Sequence, residues 1–580
     1  MYRQKTKKEL IVCVFVLFAL FCCLLFHAQY SFCQSDESFY ISNVKRLYQG
    51  DRLIIDEWHP TQFYLPILLP FYAAFRFFAG SDDGILYFFR IIAISISFIS
   101  SMAFFIEIKK ENSNFVAFCV AALLLLFSRA NIPGVSYYNL NLHLSLFFFI
   151  TLRNALKNHG TKAIALNILS GISLSLAVLC QPYTAFLYLL LMVYLIINKS
   201  TRKNGWFVFI TVLLMGTTYL LFCFFRDSVA SYLLNIQYVL SDPAHNKNIF
   251  SSLKDILYVY YKYISIPYCL STIVLCAWFY YSRRKGKPLS RFQIACQIVL
   301  LYIMLAKPLI HINAYPCYSL FAFITVAVLP SVIYYIRQKE KCLMIELYLL
   351  GICLSILWGI GSNTGLDGMI VGYCISGIGA LLLIARIIHD MYQISWRRAL
   401  LSFFSCLCGL VLIASFAQRF LGFYRDASID QLNTRIEQGP AKGLLTTEDS
   451  ANQYNELYEV IHEQFINSPN ATVIHMKLVP WAYLCSEWRY YAPTSWANEL
   501  NSSRLKQYYD IHDGILPDFV FIYSAEVGAY RGNYFNNHSD ENYVNEMDYS
   551  GELYEKLTGK EYETIKMPLV TIYKNKELER

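Results

Sequence analysis

The sequence predicts a mainly α-helical, polytopic membrane protein, and three observations carry that prediction. Uncharged apolar runs of about eighteen residues or more, long enough to cross a bilayer, recur along most of the chain. Hydrophobic residues make up 56% of the 580 and charged residues only 16%. The basic residues crowd into short links between the runs, as in cytoplasmic loops. The net charge of +8 therefore reports topology and is no argument for nucleic acid.

The first run, about 9–29, follows Arg3, Lys5, Lys7 and Lys8, which place the N-terminus inside. No A-x-A cleavage pattern follows, so the run is expected to remain as a helix. A first outside loop covers 30–85. Spans are then expected at about 86–107 and 115–131, joined inside by Lys109 and Lys110, and at about 138–156 and 163–180, joined by Arg153, Lys157 and Lys162. Spans at about 183–198 and 206–225 flank Lys199, Arg202 and Lys203, and a second outside loop runs to about 257. Spans at about 258–281 and 293–312 flank the most basic link, Arg283 to Arg291. The last four, at about 315–336, 343–361, 368–388 and 398–418, bring the count to about 13 and leave the tail outside.

Gln62 to Ala79 is apolar enough to span, but counting it would invert every later basic link. Pro66, Pro70 and Arg76 interrupt it, and it is expected as a helix in the outer interface. The chain thus divides into a membrane domain, 1–424, and an extracytoplasmic α/β domain, 425–580. In the tail, Tyr454, Leu457, Tyr458, Ile461 and Phe465 fall at helical spacing. Ala471–Met476, Asp518–Tyr523 and Leu569–Tyr573 read as strands. Seventeen cysteines give no disulfide framework. Most lie in apolar runs as small hydrophobes, and the tail has only Cys485.

Asp36 and Glu37 sit where the chain first leaves the membrane. Asp36 reads in two ways. It is a favoured N-cap for the amphipathic stretch Phe39 to Gln49, which would lie along the membrane surface, or a general base for chemistry on a lipid-linked substrate. Asp56, Glu57 and His59 form a second cluster, either positioning substrate or seating the interfacial helix. Arg90, Arg129, Lys307 and His311 lie near the outer ends of apolar runs, as phosphate partners or as snorkelling anchors. Gly439-Pro-Ala-Lys-Gly443 lacks the spacing of a phosphate-binding P-loop and reads as a turn.

The acid pair opening the first outside loop, Gly50, and His59-Pro60 before an apolar stretch resemble the GT-C superfamily of membrane glycosyltransferases, in particular the bacterial aminoarabinose-transferase and protein O-mannosyltransferase type. The resemblance implies that Asp36, with Glu37 beside it, serves the transfer reaction, that His59 belongs to the site, and that about 13 spans precede an outside domain. It also implies a plasma-membrane location, multi-pass, with the N-terminus cytoplasmic. The chain departs from the family in its second outside loop, where Asn139 and Asn141 stand in place of an acid, and at Gln181, where a lysine is common. No metal is implied at those asparagines, although a divalent cation stays open. No cofactor is required by the sequence.

The function expected is inverting transfer of a sugar from a polyprenyl-phosphate donor to an envelope glycan, lipid or protein on the non-cytoplasmic face. The competing readings are a transporter or flippase of lipid-linked sugars and a non-catalytic membrane subunit that binds envelope polymer.

Overall fold

The apolar runs fold as helices because a backbone within lipid must satisfy its own hydrogen bonds. The computed structural model describes residues 7–241, 248–259, 265–310, 319–336, 342–362, 366–390, 397–496, 502–524, 526–528 and 561–579. Helix α1 spans Lys7–His27 and is followed by α2, Asp36–Gln49, and α3, Leu65–Ala79. Then come α4, Ile85–Ile108, α5, Asn114–Leu126, and α6, Tyr137–Lys157. The later expected runs are helical too, among them Gly160–Cys180, Cys342–Gly361, Leu366–Asp390 and Arg397–Leu421. Among the described residues, seven helices are long and apolar enough to cross a membrane; Asn114–Leu126 and Leu320–Tyr335 are among the shorter apolar ones.

Charge separates the two ends of this bundle. At one end, Arg153 at the foot of α6 joins Glu111, 2.8 Å away, and Glu346, while Lys110 pairs with Glu107. At the other end the C-termini of α1 and Arg397–Leu421 meet, with His27 Nε2 3.1 Å from the Phe420 carbonyl. Asn131, just past α5, donates to the carbonyls of Gln418 and Gly422 at 2.6 and 2.9 Å. That second end carries the first loop and the tail.

Helix α2 differs from the surface helix its pattern predicts. Every residue from Glu37 to Leu47 is buried, because the polar positions find partners distant in sequence. Ser42 Oγ lies 2.9 Å from Ser495 Oγ, and Asn43 Oδ1 accepts from Ser495 at 2.8 Å. Lys45 donates to Asp82 at 2.7 Å and to the Ser486 carbonyl. Arg46 donates to Asp51 at 2.7 Å and to Glu57 at 2.8 Å. Gly50 ends the helix at φ 109°, a left-handed conformation that glycine adopts without strain. Helix α3 buries Leu65, Leu68 and Tyr72, while Phe77 and Phe78 are more than four-fifths exposed.

In the tail, Thr447 caps the helix Glu448–Asn467 by accepting from the Ser450 amide. Strands β1, Thr434–Arg435, and β2, Leu445–Thr446, pair antiparallel. The main sheet holds β3, Thr472–His475, β4, Arg489–Tyr490, β5, Phe519–Tyr523, β6, Tyr562–Lys566, and β7, Val570–Asn575. Its order is β4-β3-β5-β7-β6, with β3 parallel to both neighbours and β7 antiparallel to β5 and β6. Phe39, Val44 and Tyr72 of the first loop share one core with Trp481, Trp488 and Phe519 of the tail. The buried tryptophans Trp481 and Trp488 are thus packing residues.

Candidate active site

Asp36 occupies the first turn of α2, where helix-terminal amides favour negative charge. Ser35 holds the N-cap position and its side chain makes no capping bond. Instead Ser35 Oγ donates to Asp36 Oδ2 at 3.1 Å and accepts from Arg425 Nη1 at 2.6 Å. Tyr424 Oη donates to the same Oδ2 at 2.9 Å, and Arg425 Nη1 lies 3.2 Å from it. Every described contact uses Oδ2. Oδ1 is open, on a side chain 13% exposed. The capping reading of Asp36 is therefore replaced by a carboxylate held from one side and free on the other.

Glu37 points the opposite way. Arg90 Nε and Nη2 reach its two oxygens at 2.6 Å each, and both side chains are fully buried. Arg90 Nη1 further donates to the carbonyls of Ala28 and Tyr30 at 2.8 and 2.9 Å. This bidentate pair ties α4 to the start of the first loop. It leaves neither oxygen of Glu37 open, and turns the Arg90 guanidinium to protein acceptors.

Arg129 lies past α5, where the chain turns through Ala130 and Asn131 at φ 51° and 57°. Its guanidinium stands 3.7 Å from the centre of the Tyr138 ring, which stacks on Trp358 at 4.5 Å. Burial first, and then the Asp36 charge, hold the Tyr40 and Tyr424 hydroxyls well above their ordinary pKa, while Arg129 opposes both shifts. Asp36, Arg129, Tyr40, Tyr424 and Arg425 therefore share one electrostatic neighbourhood. Both tyrosines stay protonated and can donate. Ser31 and Arg425, with φ of 72° and 55°, add to the left-handed residues gathered here, a conformation kept only where surrounding structure enforces it.

The other expected residues are distributed as follows. Asp56 receives Arg52 Nε and Nη2 at 2.8 and 2.9 Å and lies 3.2 Å from His512 Nε2. Burial alone would raise its pKa, but these bonds hold it well below the ordinary carboxylate range. Glu57 pairs with Arg46 and accepts from the His59 amide at 2.9 Å, and burial leaves its pKa raised. His59 Nδ1 faces Thr61 Oγ1 at 2.7 Å, and its ring meets Phe39 edge-on at 4.7 Å. Asn141 bridges the Ala177 carbonyl and Trp358 Nε1 at 2.8 and 3.1 Å, a helix-to-helix tie. Asn139 faces a hollow instead. Lys307 belongs to the helix Arg291–Ile310, but its side chain and all of His311 lie outside the described residues.

Sequence reasoning missed Tyr424, Arg425 and Arg419. Arg419 lines two adjoining narrow hollows between α1, α4, the turn after α5 and its own helix. Asp36 is not among their lining residues; the nearest lining residue in the chain is Ser31. The signal was a basic residue immediately after an apolar run, which reads as an anchor. Among the described residues, no group of three or more His, Cys, Asp and Glu side chains converges to hold a metal ion.

No family model and no curated protein matches the chain. Among solved structures, the chain is similar to the archaeal oligosaccharyltransferase AglB from Archaeoglobus fulgidus, in complex with an inhibitory peptide and a dolichol-phosphate. The identity is 12% and the TM-score 0.47, over 87% of this chain and 69% of that one. It is also similar to the Archaeoglobus fulgidus oligosaccharyltransferase in complex with Zn and sulfate, at 14% identity and TM-score 0.49, over 98% of this chain and 73% of that one. Similarity of this degree carries no argument about chemistry.

Proposed function

We propose that the chain is a membrane glycosyltransferase of GT-C type, moving a sugar from a polyprenyl-phosphate donor to an acceptor on the non-cytoplasmic face of a plasma membrane. In this reading about 13 helices span, the N-terminus is cytoplasmic, and 425–580 lies outside, packed on the first loop. The exposed Phe77 and Phe78 of α3 lie in the outer interface. The observation that carries the proposal is the open Oδ1 of Asp36, within a ring of donors and cations at the mouth of the apolar bundle.

Asp36 Oδ1 accepts the proton of the acceptor hydroxyl as that oxygen bonds to the anomeric carbon. The bond from that carbon to the donor phosphate breaks on the opposite face, and the phosphate departs with the electron pair. Tyr424 and Arg425 keep the carboxylate oriented through Oδ2. Arg129 offsets the charge growing on the phosphate, with Lys307 and His311 as further partners. Glu37 and Arg90 serve as the buried brace beneath Asp36, and Asp56, Glu57 and His59 hold the loop that carries it. The acceptor is an envelope glycan, lipid or protein.

The test is the Asp36→Asn variant, assayed in cells lacking the wild-type chain. The polyprenyl-phosphate sugar pool, followed by mass spectrometry, should accumulate as it does in the deletion, with the variant inserted at normal levels. A pool restored to the wild-type level would overturn the assignment.

A further inference from the structure

Tyr40 follows Asp36 by four residues, so the two side chains lie on one face of α2, one turn apart. Its ring is buried and stands edge-on to Tyr137, with centroids 5.8 Å apart, and to Tyr64, 6.4 Å apart. Tyr137 packs in turn on Tyr138, 4.3 Å away, and Tyr138 carries the Arg129 guanidinium. The way from the carboxylate to the cation therefore runs along Tyr40 and Tyr137.

A buried tyrosine hydroxyl ordinarily finds a hydrogen-bond partner. Among the described residues none bonds to the Tyr40 hydroxyl, and Tyr64 Oη is buried without a partner as well. Packing alone does not call for these oxygens. A phenylalanine would fill the same space, as Phe39 does beside Tyr40, ring centroids 5.7 Å apart. An unused polar group kept inside a fold asks for a partner from outside it.

In an inverting transfer the attacking oxygen and the departing phosphate lie on opposite faces of the anomeric carbon. With Asp36 serving the first and Arg129 the second, the sugar being moved lies between them, beside Tyr40. An ammonium on that sugar would need a carboxylate. Glu37 is taken up by Arg90, and Asp426 accepts from the Phe32 and Ala427 amides and from Thr446. Oδ1 of Asp36 is left, and the acceptor's proton needs it.

We propose that Tyr40 is a specificity-determining residue that donates its hydroxyl hydrogen to a hydroxyl oxygen of the transferred sugar, and that this sugar carries no charged amino group. The inference rests on the glycosyltransferase reading and names the donor class within it: an uncharged, hydroxyl-bearing sugar in place of an aminoarabinose.

The test measures binding to the purified full-length chain in detergent. The probes are farnesyl phosphate alone and its esters with glucose, galactose, mannose and 4-amino-4-deoxyarabinose. At least one hexose ester should bind the wild type about tenfold tighter than farnesyl phosphate, the size of one well-made hydrogen bond in a buried site. Tyr40→Phe should lose most of that gain and bind farnesyl phosphate as the wild type does. The aminoarabinose ester should show no gain. Without ligand, Tyr40→Phe should melt no lower than the wild type, since the hydroxyl it removes bonds to nothing in the fold.

A hexose gain kept by Tyr40→Phe, an equal loss for farnesyl phosphate alone, or a lowered ligand-free melting temperature would each overturn the role of Tyr40. A gain for the aminoarabinose ester matching the best hexose would overturn the uncharged class. If no sugar ester outbinds farnesyl phosphate on the wild type, the glycosyltransferase reading itself is overturned, and the inference with it.

Discussion

In the proposed mechanism the two carboxylate oxygens of Asp36 have different jobs, and a conservative substitution separates them. Asparagine keeps a group that can meet Tyr424 and Arg425 yet cannot take a proton, so transfer should fall by about 10²–10⁴-fold while the melting temperature barely moves. The neighbouring acid should show the opposite pattern. Glu37→Gln leaves the guanidinium of Arg90 buried with no counter-charge, which costs about 3–5 kcal/mol; thermal unfolding in detergent should show it. A third residue sets a pH dependence. His475, fully buried in β3 with Tyr523 Oη 2.7 Å from its Nδ1, is held neutral by burial, its pKa lowered to about 3. A lowered histidine contributes stability that is complete above its ordinary value near 6.5 and is lost as pH falls toward 3. By pH 5 the loss should reach about 2 kcal/mol. Unfolding followed from pH 8 to 4 should show this decline, and His475→Gln should flatten it. Sequence singled out Asp36, because two adjacent acids open the first outside loop, while leaving helix capping as the other reading. It did not expose Tyr424 or Arg425, 388 and 390 positions from the groups they bind.

Helices were legible because each rests on a local pattern. The apolar runs and their basic links mark the long apolar helices to within about five residues, save the one expected from about 258, whose helix begins at Ile266. The three expected tail strands appear as β3, β5 and β7. Helix α2 was legible as a helix but misplaced, since a polar stripe predicts water only when nothing else satisfies it, and Lys45 and Arg46 have buried partners. Close helix contacts were hidden for a similar reason. A Cβ at Gly351 would sit 2.3 Å from the Ser376 amide, and one at Gly372 would sit 2.3 Å from the Gly351 carbonyl. Cys342–Gly361 and Leu366–Asp390 are thus held backbone to backbone through small residues. Gly351→Ala or Gly372→Ala should cost about 1–3 kcal/mol or more by overpacking. Trp358 on the first of these helices stacks against Tyr138 beneath Arg129. Transfer should therefore drop as well, and assaying both variants for melting and turnover checks the coupling.

Across the whole molecule, charge is sorted to opposite ends of the bundle, and the proposed topology puts a membrane between them. Lys110 and Lys157 at one end and Lys442 at the other are about half exposed. In intact cells an impermeant amine reagent should modify Lys442 alone, with Lys110 and Lys157 modified only after permeabilisation; peptide mass spectrometry reads the result. An even number of spans between the two groups would put all three lysines on one side, so that they are labelled together or not at all. The buried position of α2 also sets an order in time. Lys45 waits for a carbonyl 441 residues further along the chain, and Ser42 for a hydroxyl 453 further. At about 5–20 residues per second, a ribosome needs roughly 20–90 s to deliver them, and the tail must then be exported. Through that interval α2, which carries Asp36, lacks the tail partners that bury it. A chain stalled or cut before residue 486 should therefore insert its helices yet remain open to protease at residues 36–60.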